Sequence, residues 1–299
     1  MGIAILLVFI ACSVYVQTRG EVRHKLVRRR ITDHANLFSP INCLFYAFSN
    51  VPNTAYIDQT WFPELEPLQN NWQIIRDEAL KLNADGAIKA SDDLDDIGFN
   101  SFFKTGWTRF YLKWYGSSLG SAEDLCPKTT RLIEQIPSIK GAMFASLPPG
   151  ARLVKHRDPF AGSMRYHLGL VTPNDDRCYI DVDGKLHSWR DGEVVMFDET
   201  YIHYAENKTD QNRIVLFLDV KRPVNFAPIN WINTIFSNIV MAASATKNRP
   251  GDKVGAVNKA FGWIYKIRLV GKRIKAWNRN VYYVLQYAIY ASILYLIFF

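Results

Sequence analysis

Pro148-Pro149-Gly150 is a turn, and it leads into Arg152-Leu153-Val154-Lys155-His156-Arg157-Asp158, the stretch on which the fold reading turns. Side chains in a strand alternate with period two, so His156 and Asp158 share a face. Two histidines and one carboxylate form the ligand set of non-haem Fe(II) oxygenases, which bind the metal on one face and leave positions open. His203 is the second histidine that this set needs. Farther on, Asn212-Arg213-Ile214-Val215-Leu216-Phe217-Leu218 reads as a buried strand. A buried, unpaired guanidinium is costly, so Arg213 requires an anionic partner. A carboxylate bound through two parallel N–H···O contacts would meet that need.

Working outward, the pattern from Gly141 on is one of short strands punctuated by turns. Asp183-Gly184 and Asp191-Gly192 are hairpin-type signals, and together these features predict an antiparallel sandwich or jelly roll. Of the six histidines, His24 and His34 fall outside this region and His187 lies near a turn. His156, His167 and His203 have apolar, strand-like surroundings. Upstream, the pattern from Trp61 to Leu68 starts a helix expected to run on through Trp72, Ile75 and Leu80. Phe110–Tyr115 reads as a strand, and a helix around Thr129–Ile136 ends at Pro137. The acidic run Ser91–Asp96 lacks the spaced glycine and distal glutamate of a calcium loop and reads as solvated. Residues 31–60, with the aromatic run Phe45–Phe48, are expected near a membrane, and residues 228–248 read as an apolar helix.

Met164-Arg165-Tyr166-His167-Leu168-Gly169-Leu170 resembles the R-x-H-L-G-L signature of the aspartyl/asparaginyl β-hydroxylase family. Asp191–Asp198 and Tyr201-Ile202-His203 also match, so the resemblance covers roughly residues 140 to 222. It implies a double-stranded β-helix and an Fe(II)- and 2-oxoglutarate-dependent dioxygenase using O₂. It implies that His156, Asp158 and His203 hold the iron, that Arg213 binds the distal carboxylate of 2-oxoglutarate, and that Arg165 and His167 line the co-substrate site. Two departures stand out. A serine that contacts 2-oxoglutarate in animal members aligns with Ala145, with Ser146 beside it facing the other way. Animal members also lack the carboxylate that Asp158 supplies.

The formal net charge of +8 is unevenly distributed. Residues 18–30 carry Arg19, Arg23, Lys25, Arg28, Arg29 and Arg30 against Glu21 alone. Residues 249–280 carry Arg249, Lys253, Lys259, Lys266, Arg268, Lys272, Arg273, Lys275 and Arg279 against Asp252 alone. The remainder is net acidic, so the basic balance gives no reason to expect a nucleic-acid partner. Each basic collar adjoins an uncharged apolar segment, Ile3–Val16 or Val281–Phe299. As a helix the second would run about 28 Å, close to the roughly 30 Å hydrocarbon thickness of a bilayer.

The expected plan is therefore a mainly β catalytic core with flanking helices and terminal transmembrane or membrane-anchoring helices. Residues 1–18 would form an anchor, 19–60 a basic juxtamembrane and linker segment, and 61–225 the oxygenase domain. Residues 226–280 would be a basic helical juxtamembrane segment, and 281–299 a transmembrane helix. Positive charge on the domain side of both anchors predicts a cytoplasmic domain. The four cysteines, Cys12, Cys43, Cys126 and Cys178, are scattered with no C-x-x-C, which suits that compartment. An anionic lipid partner would account for both the anchors and the collars. Within the family, this layout resembles the membrane-bound bacterial lipid A hydroxylases. That resemblance implies oxidation at C2 of an acyl chain on the inner membrane. The competing expectations are β-hydroxylation of Asp or Asn in a membrane-associated protein, and an inactive membrane scaffold.

Overall fold

In the computed structural model, which describes residues 2–91, 96 and 98–298, the alternation read after Gly141 becomes two antiparallel sheets. The strands are β1 (Tyr56–Ile57), β2 (Thr108–Trp114), β3 (Ser117–Ser118), β4 (Ile139–Leu147), β5 (Arg152–His156), β6 (Ser163–Val171), β7 (Cys178–Val182), β8 (Lys185–Ser188), β9 (Val194–Phe197), β10 (His203–Asn207) and β11 (Arg213–Lys221). The larger sheet has the order β1-β9-β6-β11-β4-β2-β3 and the smaller β5-β10-β7-β8. This is the jelly-roll-like arrangement that the strand and turn signals predicted.

Both faces of the larger sheet are covered, which is why β6 and β11 are buried almost throughout. Leu216 and Leu218 alternate with Val215 and Phe217 on opposite faces. The helix Trp72–Ala84 buries Ile75, Ala79 and Leu82 on one stripe and packs against β6. The opposite face of the sheet closes on Ile180, Val182 and Ala205 of the smaller sheet, and the main core runs between.

Several expectations change. The helix read from Trp61 onward is interrupted: short turns at Gln59–Trp61 and Pro63–Leu65 precede a helix over Glu66–Asn70, and the long helix begins only at Trp72. Pro63 and Pro67 each sit at the start of a short element, where a missing N–H is tolerated, and so they divide the segment. Asp183-Gly184 is the β7–β8 hairpin turn, both residues at positive φ. Asp191-Gly192 is not a hairpin, because β8 and β9 belong to different sheets and the segment crosses between them. The acidic run Ser91–Asp96 lies mostly outside the described residues; Asp96 is buried and paired with Arg109.

The ends also depart from the expected plan. Among the described residues no helix is long and apolar enough to cross a membrane. The helix Gly2–Thr18 has 17 residues, and its last turn docks on the protein with Val16 and Gln17 buried. The helix Arg279–Phe298 opens on Arg279 and Asn280 and carries Gln286 among its tyrosines; the span read to Phe299 runs past the described residues. Phe45 and Tyr46 of the aromatic run form a second core with Val16, Ala35, Phe160, Ala161 and Ile229. That core ties the N-terminal helix to the loop after Asp158 and to the helix Ala227–Phe236.

Candidate active site

The two sheets open on a pocket lined among others by His156, Asp158, His203, His167, Arg213 and Trp189. His156 and His203 face each other as a cross-strand pair of β5 and β10, their rings 4.2 Å apart. Each ring lies within hydrogen-bond reach of a backbone carbonyl two residues upstream: His156 Nδ1 at 2.7 Å from Val154 O, His203 Nδ1 at 3.0 Å from Tyr201 O. A carbonyl only accepts, so Nδ1 carries the proton in both and each Nε2 is left with its lone pair. Asp158 lies just beyond β5 and not within it. Its backbone N–H donates to Glu199 O at 2.9 Å, and a carboxylate oxygen lies 3.8 Å from His156 Nε2. One donor atom from each of the three residues falls within 4.8 Å of the others.

The charges suit a cation. Burial holds both histidines below their ordinary pKa; His203, with His156 beside it, is lowered to about 3. They are therefore neutral ligands at physiological pH. Burial works to raise the Asp158 pKa, but the Arg165 guanidinium beside it outweighs this and holds the carboxyl well below its usual range. Neutral imidazoles with free Nε2 atoms and an ionised carboxylate are the protonation states that a divalent metal requires.

Arg165 lines the same pocket, as expected of it, and its guanidinium is already paired. Its Nη2 donates to Asp158 Oδ2 at 2.8 Å and also to Glu199, its Nε lies 3.0 Å from Asp219, and its guanidinium covers the Phe217 ring at 3.7 Å. Ser163 donates to Glu199 and Tyr115 donates to Asp219. Arg165 thus borders the pocket while committed to three carboxylates, one of them Asp158. Glu199 and Asp219 had gone unassigned in the sequence; an acid inside the apolar stretch 194–202 was the available signal for the first.

Arg213 presents the opposite situation. It is 2% exposed, stacks on Trp189 at 4.3 Å and donates through Nη1 to Ala145 O at 3.1 Å. Its Nε has no hydrogen-bond partner, and among the described residues no carboxylate pairs with it. Burial lowers its pKa to about 10. Nearby, His167 is buried with both ring nitrogens unpartnered. Burial, with Arg165 and Arg213 close by, keeps it neutral. Buried polar atoms are normally satisfied, so Arg213 Nε and the His167 ring nitrogens are groups that a polar ligand in this pocket could partner. Ala145 lines the pocket, and Ser146 does not; its hydroxyl bonds Asn212 instead.

Comparison with known proteins agrees with this geometry. Residues 69–223 match the family model described as aspartyl/asparaginyl beta-hydroxylase. The chain belongs to the aspartyl/asparaginyl β-hydroxylase family. It is 30% identical over 196 residues to an ornithine lipid ester-linked acyl 2-hydroxylase of Rhizobium tropici, covering 65% of this chain and 69% of that one. It is 30% identical over 173 residues to human aspartyl/asparaginyl beta-hydroxylase, covering 55% of this chain but only 22% of the human protein. Among solved structures, a prolyl-4-hydroxylase of Pseudomonas putida aligns over 52% of this chain and 88% of its own, at 17% identity and a TM-score of 0.34. As a member of a hydroxylase family, this chain carries its potential ligands, and the arginine that no carboxylate of the described residues pairs, inside the matched residues.

Proposed function

We propose that this family member is an Fe(II)- and 2-oxoglutarate-dependent dioxygenase that hydroxylates C2 of an acyl chain of lipid A, with succinate and CO₂ as co-products. The observation that carries the oxygenase reading is the pairing, in one pocket, of three convergent metal-binding side chains with a buried arginine that lacks a carboxylate. His156, Asp158 and His203 would hold the iron, and Arg213 would take the distal carboxylate of the co-substrate. When bound, iron and 2-oxoglutarate would activate O₂, one oxygen atom going to succinate and the other into the substrate C–H bond.

The protein's own contribution is positioning and exclusion of water. The Val154 and Tyr201 carbonyls fix the tautomer and direction of the two imidazoles. Arg165 holds the Asp158 carboxylate ionised and in place. His167, neutral, can offer its ring N–H to the co-substrate. Phe99, Phe102 and Trp107 form an apolar wall beside His156, suited to an acyl chain.

Charge favours a phosphorylated lipid. The helix Ala256–Trp277 has six lysines and arginines and no acid. Trp263, Ile267 and Trp277 are more than 70% exposed along one stripe, with basic residues on both sides. Such a helix lies in a membrane interface and prefers anionic headgroups. Its Tyr265 meets Lys104, next to the Phe102 wall of the pocket. This would set the pocket mouth against the cytoplasmic leaflet of a bacterial inner membrane. C2 is the shallowest methylene of an acyl chain, so presenting it exposes few further methylenes, each costing about 0.8 kcal/mol.

The R. tropici relative supports acyl C2 as the target and suggests ornithine lipid as a second substrate reading. An ornithine headgroup carries both an amine and a carboxylate, and gives less reason for the all-basic helix. Mass analysis of lipid A from cells with and without this protein tests the proposal. The expected result is a lipid A species one oxygen heavier that depends on both the protein and His203. Unmodified lipid A alongside oxygenated ornithine lipid, or an oxygenated Asp or Asn in a peptide, would replace it.

A further inference from the structure

The end of the N-terminal helix reaches both loops that carry the three potential ligands. Arg157 stands between His156 and Asp158 in the chain, but its side chain turns away from the pocket and is buried. It donates through Nη1 to Val16 O at 2.6 Å, in the last turn of the helix Gly2–Thr18, and its Nε lies 3.3 Å from Asp33 Oδ2. Gln17 of the same turn also donates to Asp33.

Arg19, one residue past that helix, binds the other loop. Its Nη2 donates to Asp198 Oδ2 at 2.9 Å, its Nη1 donates to Thr200 Oγ1 at 2.6 Å, and its guanidinium lies over the rings of Tyr46 and Tyr201. The backbone of this loop supports two ligands: Glu199 O accepts from Asp158 N–H, and Tyr201 O accepts from His203 Nδ1. A basic residue that the charge pattern placed in a membrane-surface collar is thus an interior strut.

We infer that Arg19 and Arg157 are positioning residues for the metal site, and that the docked end of the helix Gly2–Thr18 holds the two ligand-bearing loops in register. The inference rests on reading His156, Asp158 and His203 as metal ligands. Neither arginine touches the pocket; each acts through backbone next to a ligand. Residues that orient ligands from behind shift metal affinity by about 10- to 100-fold when lost.

The test uses the full chain in detergent and Co(II) as a spectroscopic probe, with affinity read by titration and coordination by the visible absorption band. Arg19→Gln and Arg157→Gln are expected to weaken Co(II) binding at least tenfold and to change the band. Arg19→Lys and Arg157→Lys keep the charge and should fall between parent and glutamine variants; they carry the test if the glutamine variants do not fold. Ile75→Ala lies on the far side of the larger sheet and provides a variant of lowered Tm with an untouched site. Parental binding in Ile75→Ala together with weakened binding in the arginine variants supports positioning. Equal weakening in Ile75→Ala, or parental affinity and band in the arginine variants while His203→Ala loses Co(II), overturns it. Parental Co(II) binding in His203→Ala would instead overturn the ligand assignment beneath it.

Discussion

Arg165 and Arg213 are both buried arginines on neighbouring antiparallel strands, both reach the same pocket, and both cover an aromatic ring. One meets three carboxylates and the other, among the described residues, meets none. The fold neutralises Arg165 from within, so that arginine is part of the framework that holds Asp158. It leaves Arg213 without a carboxylate among the described residues, as the proposed binding of a co-substrate carboxylate requires. Two like residues in one sheet therefore do different work, and the difference lies in their neighbours.

The largest expected effect separates them by stability. Arg165→Met removes the shared cation from Asp158, Glu199 and Asp219 and should destabilise the protein by about 3–5 kcal/mol. Arg213→Met removes a charge that the fold does not pair, and should leave the stability of the ligand-free protein unchanged or slightly higher. Denaturant unfolding of both variants measures this; equal losses would mean that Arg213 has an internal partner after all.

Next comes co-substrate use. Arg213→Lys keeps the charge but loses the planar fork, and should raise the KM for 2-oxoglutarate by about tenfold or more with a small effect on folding. Co-substrate kinetics followed by succinate formation provide the measurement, and an unchanged KM removes Arg213 from the site. A smaller effect is expected from Ala145→Ser, which adds a hydroxyl at the pocket wall whose backbone carbonyl already bonds Arg213. One neutral hydrogen bond contributes about 0.5–1.5 kcal/mol, so the KM should fall about two- to tenfold. A rise would show that Ala145 is packed too closely to accept the hydroxyl.

A separate test is the pH dependence of the metal-free protein. His203 and His167 are depressed by burial in the folded state, while in the unfolded chain they titrate near 6.5. Above that pH both states are neutral at these positions and the two histidines add no pH dependence. Below it the unfolded chain takes up protons that the folded state refuses, so stability falls as pH falls. Tm measured between about pH 7.5 and pH 5 should decline, and His167→Gln should flatten the decline. An identical slope in that variant would mean that His167 is protonated in the folded protein.

Much of the framework was legible in the chain. The β-rich pattern after Gly141 and the buried strand around Arg213 are local, because strand periodicity and turn chemistry act over a few residues, whereas Asp158 lies past the end of β5 and is placed beside His156 by its bond to the Glu199 carbonyl. The family signature at Arg165–Leu170 was legible as a local pattern. Element breaks were less so. Pro63 and Pro67 divide the segment that an apolar period alone would read as one helix.

What only the tertiary structure decided is pairing. Nothing near Arg165 announces Glu199 or Asp219, nothing near Arg19 announces Asp198, and nothing near Arg157 announces Asp33 or the Val16 carbonyl. Each contact joins segments far apart in the chain. Sequence alone therefore specified which groups can bind a metal and which strand carries a costly charge, since those properties belong to residue type and local period. Which charges are already satisfied, and which one is left open, depends on what distant segments bring alongside, and only the folded chain determines that.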